Sequence, residues 1–274
     1  MATTVERERE FYNRVYAAHL RRPDHELIMN RRVMAAALND PAQTIWERRR
    51  LYLRAWAALM AEPVDGVKVL DYGCGPGEWG VLLATEGAQV TLLDLAPAAI
   101  ELGLRRARAS GVASRVRGIA QDASDLSCFA DGEFDLVFGS AAVHHTLKYR
   151  QALEELVRVI RPGGRMVLAE TLGNNPLLNA GRRLRAWLAR ESADQGEEII
   201  LTEAEIDLLR SRFRSVTVAP LNLLAMGKRL FRGRFTAAPV RFGIRALEQA
   251  DAALLRRFPA LERYCGEAVV VAFR

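Results

Sequence analysis

Five short apolar runs, Val67–Leu70, Val90–Leu93, Arg115–Ile119, Phe134–Phe138 and Arg165–Ala169, recur along the middle of the chain with helical stretches between them. Strands that alternate with helices form βαβ units, and such units assemble into a parallel sheet covered by helices. The spacing therefore predicts an α/β fold. Before these runs, residues 1–62 have a helical pattern carried by Phe11, Val15 and Ala18, then Leu27, Val33 and Ala37, then Ile45, Tyr52, Trp56 and Leu59. After Glu170 the pattern predicts helices at Leu177–Arg190 and Glu203–Phe213, a strand at Val216–Pro220, helices between Ala225 and Phe258, and a last strand at Ala268–Phe273. Residues 63–274 are thus expected to form the main domain, with 1–62 as a helical N-terminal segment walling a pocket. Segments at about 173–200 and 222–262 exceed what closing the sheet requires and are expected to form a cap. Within the first, Glu191–Glu198 is polar and expected to be mobile.

Composition removes several classes. With 50% apolar and 26% charged residues the chain can bury a core, which argues against disorder. Apolar runs such as Ala55–Ala61 fall short of the roughly 20 residues of a membrane span, and Met1–Glu10 is charged where a signal peptide would be apolar. The expectation is a cytoplasmic protein. Cys74, Cys128 and Cys265 form no CxxC pair and suit neither a disulfide framework nor a zinc site.

The segment Val69-Leu70-Asp71-Tyr72-Gly73-Cys74-Gly75-Pro76-Gly77-Glu78-Trp79-Gly80 carries two motifs at once. Gly75-x-Gly77-x-x-Gly80, with Asp94 closing the next strand, satisfies the dinucleotide fingerprint. Read one step earlier, Asp71 followed by Gly73-x-Gly75-x-Gly77 is the pattern by which a methyltransferase holds S-adenosylmethionine. Charge favours the second. A pyrophosphate over this turn would be repelled by Asp71, whereas an ammonium and a sulfonium are attracted to it, directly or through the turn's amides and water. Asp94, with Leu95 beside it, suits a carboxylate chelating two ribose hydroxyls; otherwise it is a helix N-cap. Asp122 can accept from an adenine amino group while the Ala123 amide meets the ring; otherwise it is a solvated loop acid. Cys74 lies within the turn, and Ser140 lies in the loop after the fourth strand.

In this order and spacing, the glycine turn with Asp94-Leu95-Ala96-Pro97, Asp122-Ala123, Phe134-Asp135-Leu136-Val137, Val143-His144-His145 and Arg161-Pro162-Gly163-Gly164 resembles class I S-adenosylmethionine-dependent methyltransferases. Within that class it resembles the small-molecule branch that includes the ubiquinone and menaquinone biosynthesis enzymes. The resemblance spans residues 67–172. It implies a Rossmann-like, mostly parallel seven-stranded sheet with an antiparallel last strand, and S-adenosyl-L-methionine as cofactor. It also implies that Asp71, Gly73, Cys74, Gly75, Gly77, Asp94, Leu95, Asp122, Ala123 and Ser140 form the cofactor site. The alternatives are a non-catalytic module that keeps the fold, an RNA methyltransferase and a nicotinamide-dependent oxidoreductase.

Methyl transfer is an in-line displacement that needs positioning, and no metal. A hydroxyl or acidic-carbon acceptor also needs a base. His144 and His145, placed by the resemblance at the acceptor end, are the candidates, His145 slightly preferred; pocket shaping is the other reading. The loop Gly139–His145 lacks the Asn/Asp-Pro-Pro-aromatic motif of adenine-methylating enzymes, and no aromatic–Arg stacking platform is evident, so a small molecule is expected, with no DNA and RNA disfavoured. Tyr12, Tyr16, His19, Trp46 and Tyr52 are candidate acceptor contacts, or else core. The sequence is silent on oligomeric state.

All but three of the 39 basic residues are arginine. Arg210, Arg212, Arg214, Lys228, Arg229, Arg232, Arg234, Arg241 and Arg245 lie in the stretch Leu208–Leu247, which contains no acid. Leucines and phenylalanines interleave with them. The texture suits a lid over an anionic or amphiphilic acceptor, or a peripheral contact with anionic membrane; an ordinary solvated basic face is the third reading.

Overall fold

Strand β1 (Lys68–Tyr72) is buried from Val69 onward on both faces, as a central parallel strand must be. In this computed structural model, which describes residues 4–147, 150–189 and 200–274, β1 pairs in parallel with β2 (Gln89–Asp94) on one side and β4 (Phe134–Ser140) on the other. Strand β3 (Val116–Ala120) lies outside β2, and β5 (Ile160–Thr171) outside β4, both parallel. Strand β7 (Glu267–Phe273) runs antiparallel between β5 and β6 (Ser215–Leu221). The seven-stranded order is β3-β2-β1-β4-β5-β7-β6. This is the Rossmann-like sheet the sequence implied, with the antiparallel last strand inserted beside β5. The order reverses between β1 and β4, and the crevice at the carboxyl ends of the strands there is where ligands bind in open α/β sheets.

The N-terminal segment folds as α1 (Thr4–His19), α2 (Asp24–Leu27), α3 (Arg31–Asn39) and, after a 3₁₀ turn Thr44–Arg48, α4 (Arg49–Leu59). Leu51, Ala55 and Leu59, one helical turn apart, are buried against the sheet. Helix α1 is not buried in the core: Phe11 is 42% and Val15 40% exposed. It rests instead on α6 (Pro97–Ala109), where Ala98 N donates to Asn13 Oδ1 and Arg105 donates to the Leu20 carbonyl, and its other flank overhangs the crevice. The helix expected at Leu177–Arg190 is α9 (Pro176–Ala189); Arg190 and the stretch Glu191–Glu198 lie outside the described residues. The cap at 222–262 is not wholly α-helical, because 3₁₀ segments Leu224–Phe231 and Pro259–Tyr264 flank the helix Ala238–Arg257. Among the described residues, no helix is long and apolar enough to cross a membrane.

The turn from β1 into α5 (Glu78–Thr85) sets the site. Gly77 has φ of +71°, and a Cβ there would stand 2.7 Å from the Gly103 Cα of α6 and 3.2 Å from Leu92. A Cβ on Gly80 would stand 2.4 Å from Leu92 and 2.7 Å from Asp71 Oδ2. The spacing Gly77-x-x-Gly80, which the dinucleotide fingerprint shares, therefore reflects how closely α5 meets β2 and α6. Gly77→Ala is expected to cost about 1–2 kcal/mol for the left-handed backbone and about 1–3 kcal/mol more for overpacking. Gly66→Ala, at φ +73° with nothing within 4 Å of the added carbon, should cost only the first amount. Equal losses in denaturant unfolding would refute the close-packing account.

Candidate active site

A cavity of about 1440 Å³ opens across the carboxyl ends of the strands, larger than the roughly 300–1000 Å³ of a pocket for one small ligand. Its lining can be followed along the sheet edge. Asp122 and Ala123 follow β3, Asp94 and Leu95 end β2, and Gly73, Cys74 and Gly75 follow β1; Ser140, His144 and His145 follow β4, and Thr171 ends β5. Arg48, Tyr52 and Arg229 complete the far end, and Glu8, Tyr12 and Tyr16 of α1 overhang it.

Asp71 is only 2% exposed, and its Oδ2 accepts from Gly80 N at 2.8 Å. It thus satisfies one of the free amides in the first turn of α5 and places a carboxylate at the positive end of that helix. Burial pushes the carboxyl up to about 7; the Gly80 hydrogen bond opposes this and nearby Asp94 adds to it. Asp71 is also part of the cavity lining, so the structure leaves both routes of the sequence reading, direct and through the turn's amides, open to it. Asp94 accepts from Gly75 N and Ala96 N, each at 2.9 Å. Burial raises its pKa while those amide bonds lower it. Each carboxylate oxygen accepts one of these bonds and retains a further lone pair on the cavity side. Asp94 is therefore able to meet two hydroxyls; it does not cap α6, which starts after Ala96 with no side-chain cap bond. Asp122 Oδ1 accepts from Ser124 N, which shapes its loop. Cys74 is buried, and burial raises its thiol pKa. A Cβ on Gly75 would meet the Tyr16 hydroxyl at 3.0 Å, so the turn and α1 close together over this end.

The two histidines have different surroundings. His144 Nδ1 lies 2.8 Å from Glu170 Oε2, with the His144 side chain 9% exposed and Glu170 fully buried. Glu170 Oε1 also accepts from Ala142 N and Val143 N, both at 3.1 Å. His145 Nδ1 lies 3.5 Å from Glu8 Oε1 of α1, both side chains about one-third exposed, and the two rings are 4.3 Å apart. Glu170 was not singled out in the sequence; its position at the carboxyl end of β5 was the available signal. Tyr72 was likewise missed: its hydroxyl donates to the Ala123 carbonyl and stands 2.7 Å from the Thr146 hydroxyl, linking the loops after β3 and β4. Of the aromatic candidates, Tyr12, Tyr16 and Tyr52 line the cavity. His19 is not in the lining, and Trp46 is buried in a separate cluster with Phe235 and Ile244.

The acid-free stretch Leu208–Leu247 is not acid-free in space. Arg210 pairs with Glu203 and Asp207, Arg212 with Glu154, Lys228 with Glu267, Arg229 with Glu47 and Glu267, and Arg232 with Glu47. Arg229, Leu230 and Arg232 also line the cavity.

With this geometry in view, the class follows. Residues 69–164 match the model of a methyltransferase domain, and the chain carries a class I S-adenosylmethionine-dependent methyltransferase fold resembling the ubiquinone and menaquinone methyltransferases. The cofactor of such a domain is S-adenosylmethionine, and the glycine turn, the half-buried Asp94 and the Asp122 loop fit it.

The chain is 38% identical over 108 residues to a demethylmenaquinone methyltransferase of Clavibacter sepedonicus, covering 39% of this chain and 42% of that one. It is 33% identical over 168 residues to a malonyl-[acyl-carrier protein] O-methyltransferase of Pseudescherichia vulneris, covering 60% and 62%. The matches thus span about two-fifths to three-fifths of these relatives. Among solved structures, the geranyl diphosphate C-methyltransferase of Streptomyces coelicolor A3(2) shares the fold over 99% of this chain and 97% of that one, with TM-score 0.55 and 18% identity.

A carboxyl whose pKa is raised in the fold contributes stability below its unfolded value, about 4, and loses it as pH rises through about 7. Asp71→Asn keeps an acceptor for Gly80 N without the charge. Its stability relative to the parent protein should therefore rise between about pH 5 and about pH 8; a pH-independent difference in melting temperature would show that Asp71 is not so perturbed.

Proposed function

We propose that the chain transfers a methyl group from S-adenosylmethionine to a small organic acceptor, with His144 as the base that takes the acceptor's proton. The observation that carries this reading is the order along the sheet edge: acids and glycines at β3, β2 and β1, then His144 at β4, inside one cavity. The cofactor supplies a methyl carbon activated by its sulfonium; a lone pair of the acceptor bonds to that carbon as the carbon–sulfur bond breaks and its electron pair stays on sulfur.

The protein's part is binding, alignment and proton removal. The carboxylates of Asp71, Asp94 and Asp122 make the first half of the cavity favourable to a cationic ligand. Glu170 accepts from His144 Nδ1–H, which fixes the tautomer with its lone pair on Nε2 and stabilises the imidazolium formed when Nε2 takes a proton. This support favours His144 over His145, the reverse of the preference drawn from sequence. The overhang of α1, through Tyr12 and Tyr16, and the enclosure of His144 limit water at that atom.

Asp94→Ala should weaken binding of S-adenosylhomocysteine by about 1–3 kcal/mol in calorimetry, because hydroxyls lose a charged acceptor; unchanged affinity would move the cofactor elsewhere. Incubating the protein with methyl-labelled S-adenosylmethionine and a pool of metabolites should label an acceptor, which a non-catalytic module would not do. With that acceptor in hand, His144→Ala is expected to lower turnover about 10²- to 10⁴-fold, the usual range for a general base. His145→Ala should retain more than about a tenth of it. The reverse ranking, measured at saturating acceptor, would assign the proton to His145.

A further inference from the structure

The far end of the cavity reverses the charge of the near end. Three cations converge on Glu267, a fully buried carboxylate at the start of β7: Lys228 Nζ at 3.2 Å, Arg48 Nε at 3.7 Å and Arg229 Nη2 at 3.9 Å. The β5–β7 register sets Glu267 opposite Thr171, whose hydroxyl accepts from Arg48 Nη2. This cluster therefore lies one strand beyond His144 and Glu170 along the same edge. Burial pushes the Glu267 carboxyl up, but Lys228, Arg48, Asn222 and Arg229 outweigh it and hold the group below the usual carboxylate range. A second carboxylate, Glu47, is already engaged by Arg232 through two bonds of 2.7 and 2.9 Å, and reaches Arg229 only at 3.7 Å. Three positive charges thus share one wholly committed carboxylate and the margin of another.

The ion pairs in this cluster differ from the purely structural ones. Arg49 and Glu248 meet at 2.6 Å, and Arg232 grips Glu47 with both ends of its fork. By contrast, Arg48 Nε, Arg229 Nε and Glu267 Oε1 are buried without a hydrogen-bond partner among the described residues. Buried ionic atoms without hydrogen bonds are costly, and these two guanidinium groups meet their carboxylates only at 3.7 Å, which leaves their charge incompletely answered. Arg48 and Arg229 line the cavity, as do Leu177, Leu178 and Leu230 at its rim. Leu177 and Leu230 are 81% and 85% exposed, an apolar surface that a bound hydrocarbon would cover.

We propose that the acceptor is an anionic amphiphile, its phosphate or carboxylate head group received by the cavity-lining guanidinium groups of Arg48 and Arg229 and its apolar body by Leu177, Leu178 and Leu230. The cavity then has two electrostatic halves. The acidic half takes the cationic donor and the basic half takes the anionic acceptor, with His144 at β4 between them. The proposal rests on the methyltransferase reading only for the word acceptor; the oxyanion site stands on the Arg48–Glu267–Arg229 geometry.

The test is calorimetry on the full chain saturated with S-adenosylhomocysteine, using dodecyl phosphate, dodecanoate, dodecanol and inorganic phosphate as probes below their aggregation concentrations. The two anionic amphiphiles should bind at least about tenfold more tightly than dodecanol, since a hydrogen-bonded charge pair is worth about that factor or more. They should also bind more tightly than inorganic phosphate, and weaken in about 0.5 M salt. The tighter of the two identifies the head group. Arg48→Gln combined with Arg229→Gln should lower dodecyl phosphate affinity about 10- to 100-fold and leave S-adenosylhomocysteine affinity unchanged; Arg229→Lys should fall between.

Dodecanol binding as tightly as dodecyl phosphate would overturn the proposal. So would a folded double variant that still binds dodecyl phosphate like the parent. If the double variant does not fold, the comparison of probes on the parent protein decides alone. Loss of S-adenosylhomocysteine binding with the anion preference intact would instead count against the methyltransferase reading and leave the oxyanion site standing.

Discussion

The approach of α5 to the end of β1 is the constraint from which the site is built. A helix N-terminus carries unsatisfied amides, and here it is brought so near the sheet that only glycine fits at 77 and 80. Asp71 answers one of those amides from inside the strand, and Asp94 ties down the turn at Gly75 from the neighbouring strand. Two buried carboxylates thus hold one loop from two directions. The cost of burying them appears as their raised pKa values, and the result is a rigid, negatively charged rim at the point where the strand order reverses. The clamp adds to the backbone bond from Cys74 N to the Leu93 carbonyl of β2, and on its other side the turn meets the loop after β4, where Ala142 Cβ stands against Gly73.

The sheet converts strand order into chemical order. Because β4 and β5 succeed β1 on the same side, the groups at their ends succeed the glycine turn in space: His144, then Glu170, then the Arg48–Glu267 cluster opposite Thr171. Glu170 and Glu267 are both fully buried and lie one on each of two paired strands, yet their partners differ. Glu170 is saturated by two amides and a histidine, so it acts on the ring it orients. Glu267 is ringed by cations and leaves one oxygen unbonded. The difference lies in the neighbours, and the neighbours come from segments far apart in the chain.

That separation decides how much could be read in advance. The strands, the glycine turn and the acids at strand ends were legible because each is a local pattern: a run of apolar residues, a spacing, a residue just past a strand. The place of Asp94 at the end of its strand could be written down in the same way, but its bonds to Gly75 N and Ala96 N could not. What could not be read were pairings across the fold. The stretch Leu208–Leu247 reads as an unopposed basic run, yet Glu47, Glu154 and Glu267 reach into it from helices and a strand elsewhere. Helical periodicity placed Phe11 and Val15 on a common face correctly, but not what that face would meet, since α1 lies on α6 and over a cavity rather than on the sheet. The sequence shows the two histidines side by side, and only the fold shows that His144 meets the buried Glu170 while His145 lies near Glu8 of α1.

The likeness to known proteins divides the cavity along the same line. The matched domain, residues 69–164, contains the glycine turn, Asp94, Asp122, Ser140 and both histidines, the residues proposed as donor seat and base. Arg48, Glu47, Lys228, Arg229 and Glu267 all lie outside it, as do the rim leucines Leu177, Leu178 and Leu230. A donor common to many enzymes needs a common seat, whereas an acceptor is chosen by whatever is hung around that seat. Here those additions come from the helical N-terminus, the segment after β5 and the closing strand, and they converge on one carboxylate. On the proposed reading, what distinguishes this chain from its relatives in substrate should accordingly be sought in the charges around Glu267, which the matched span does not include.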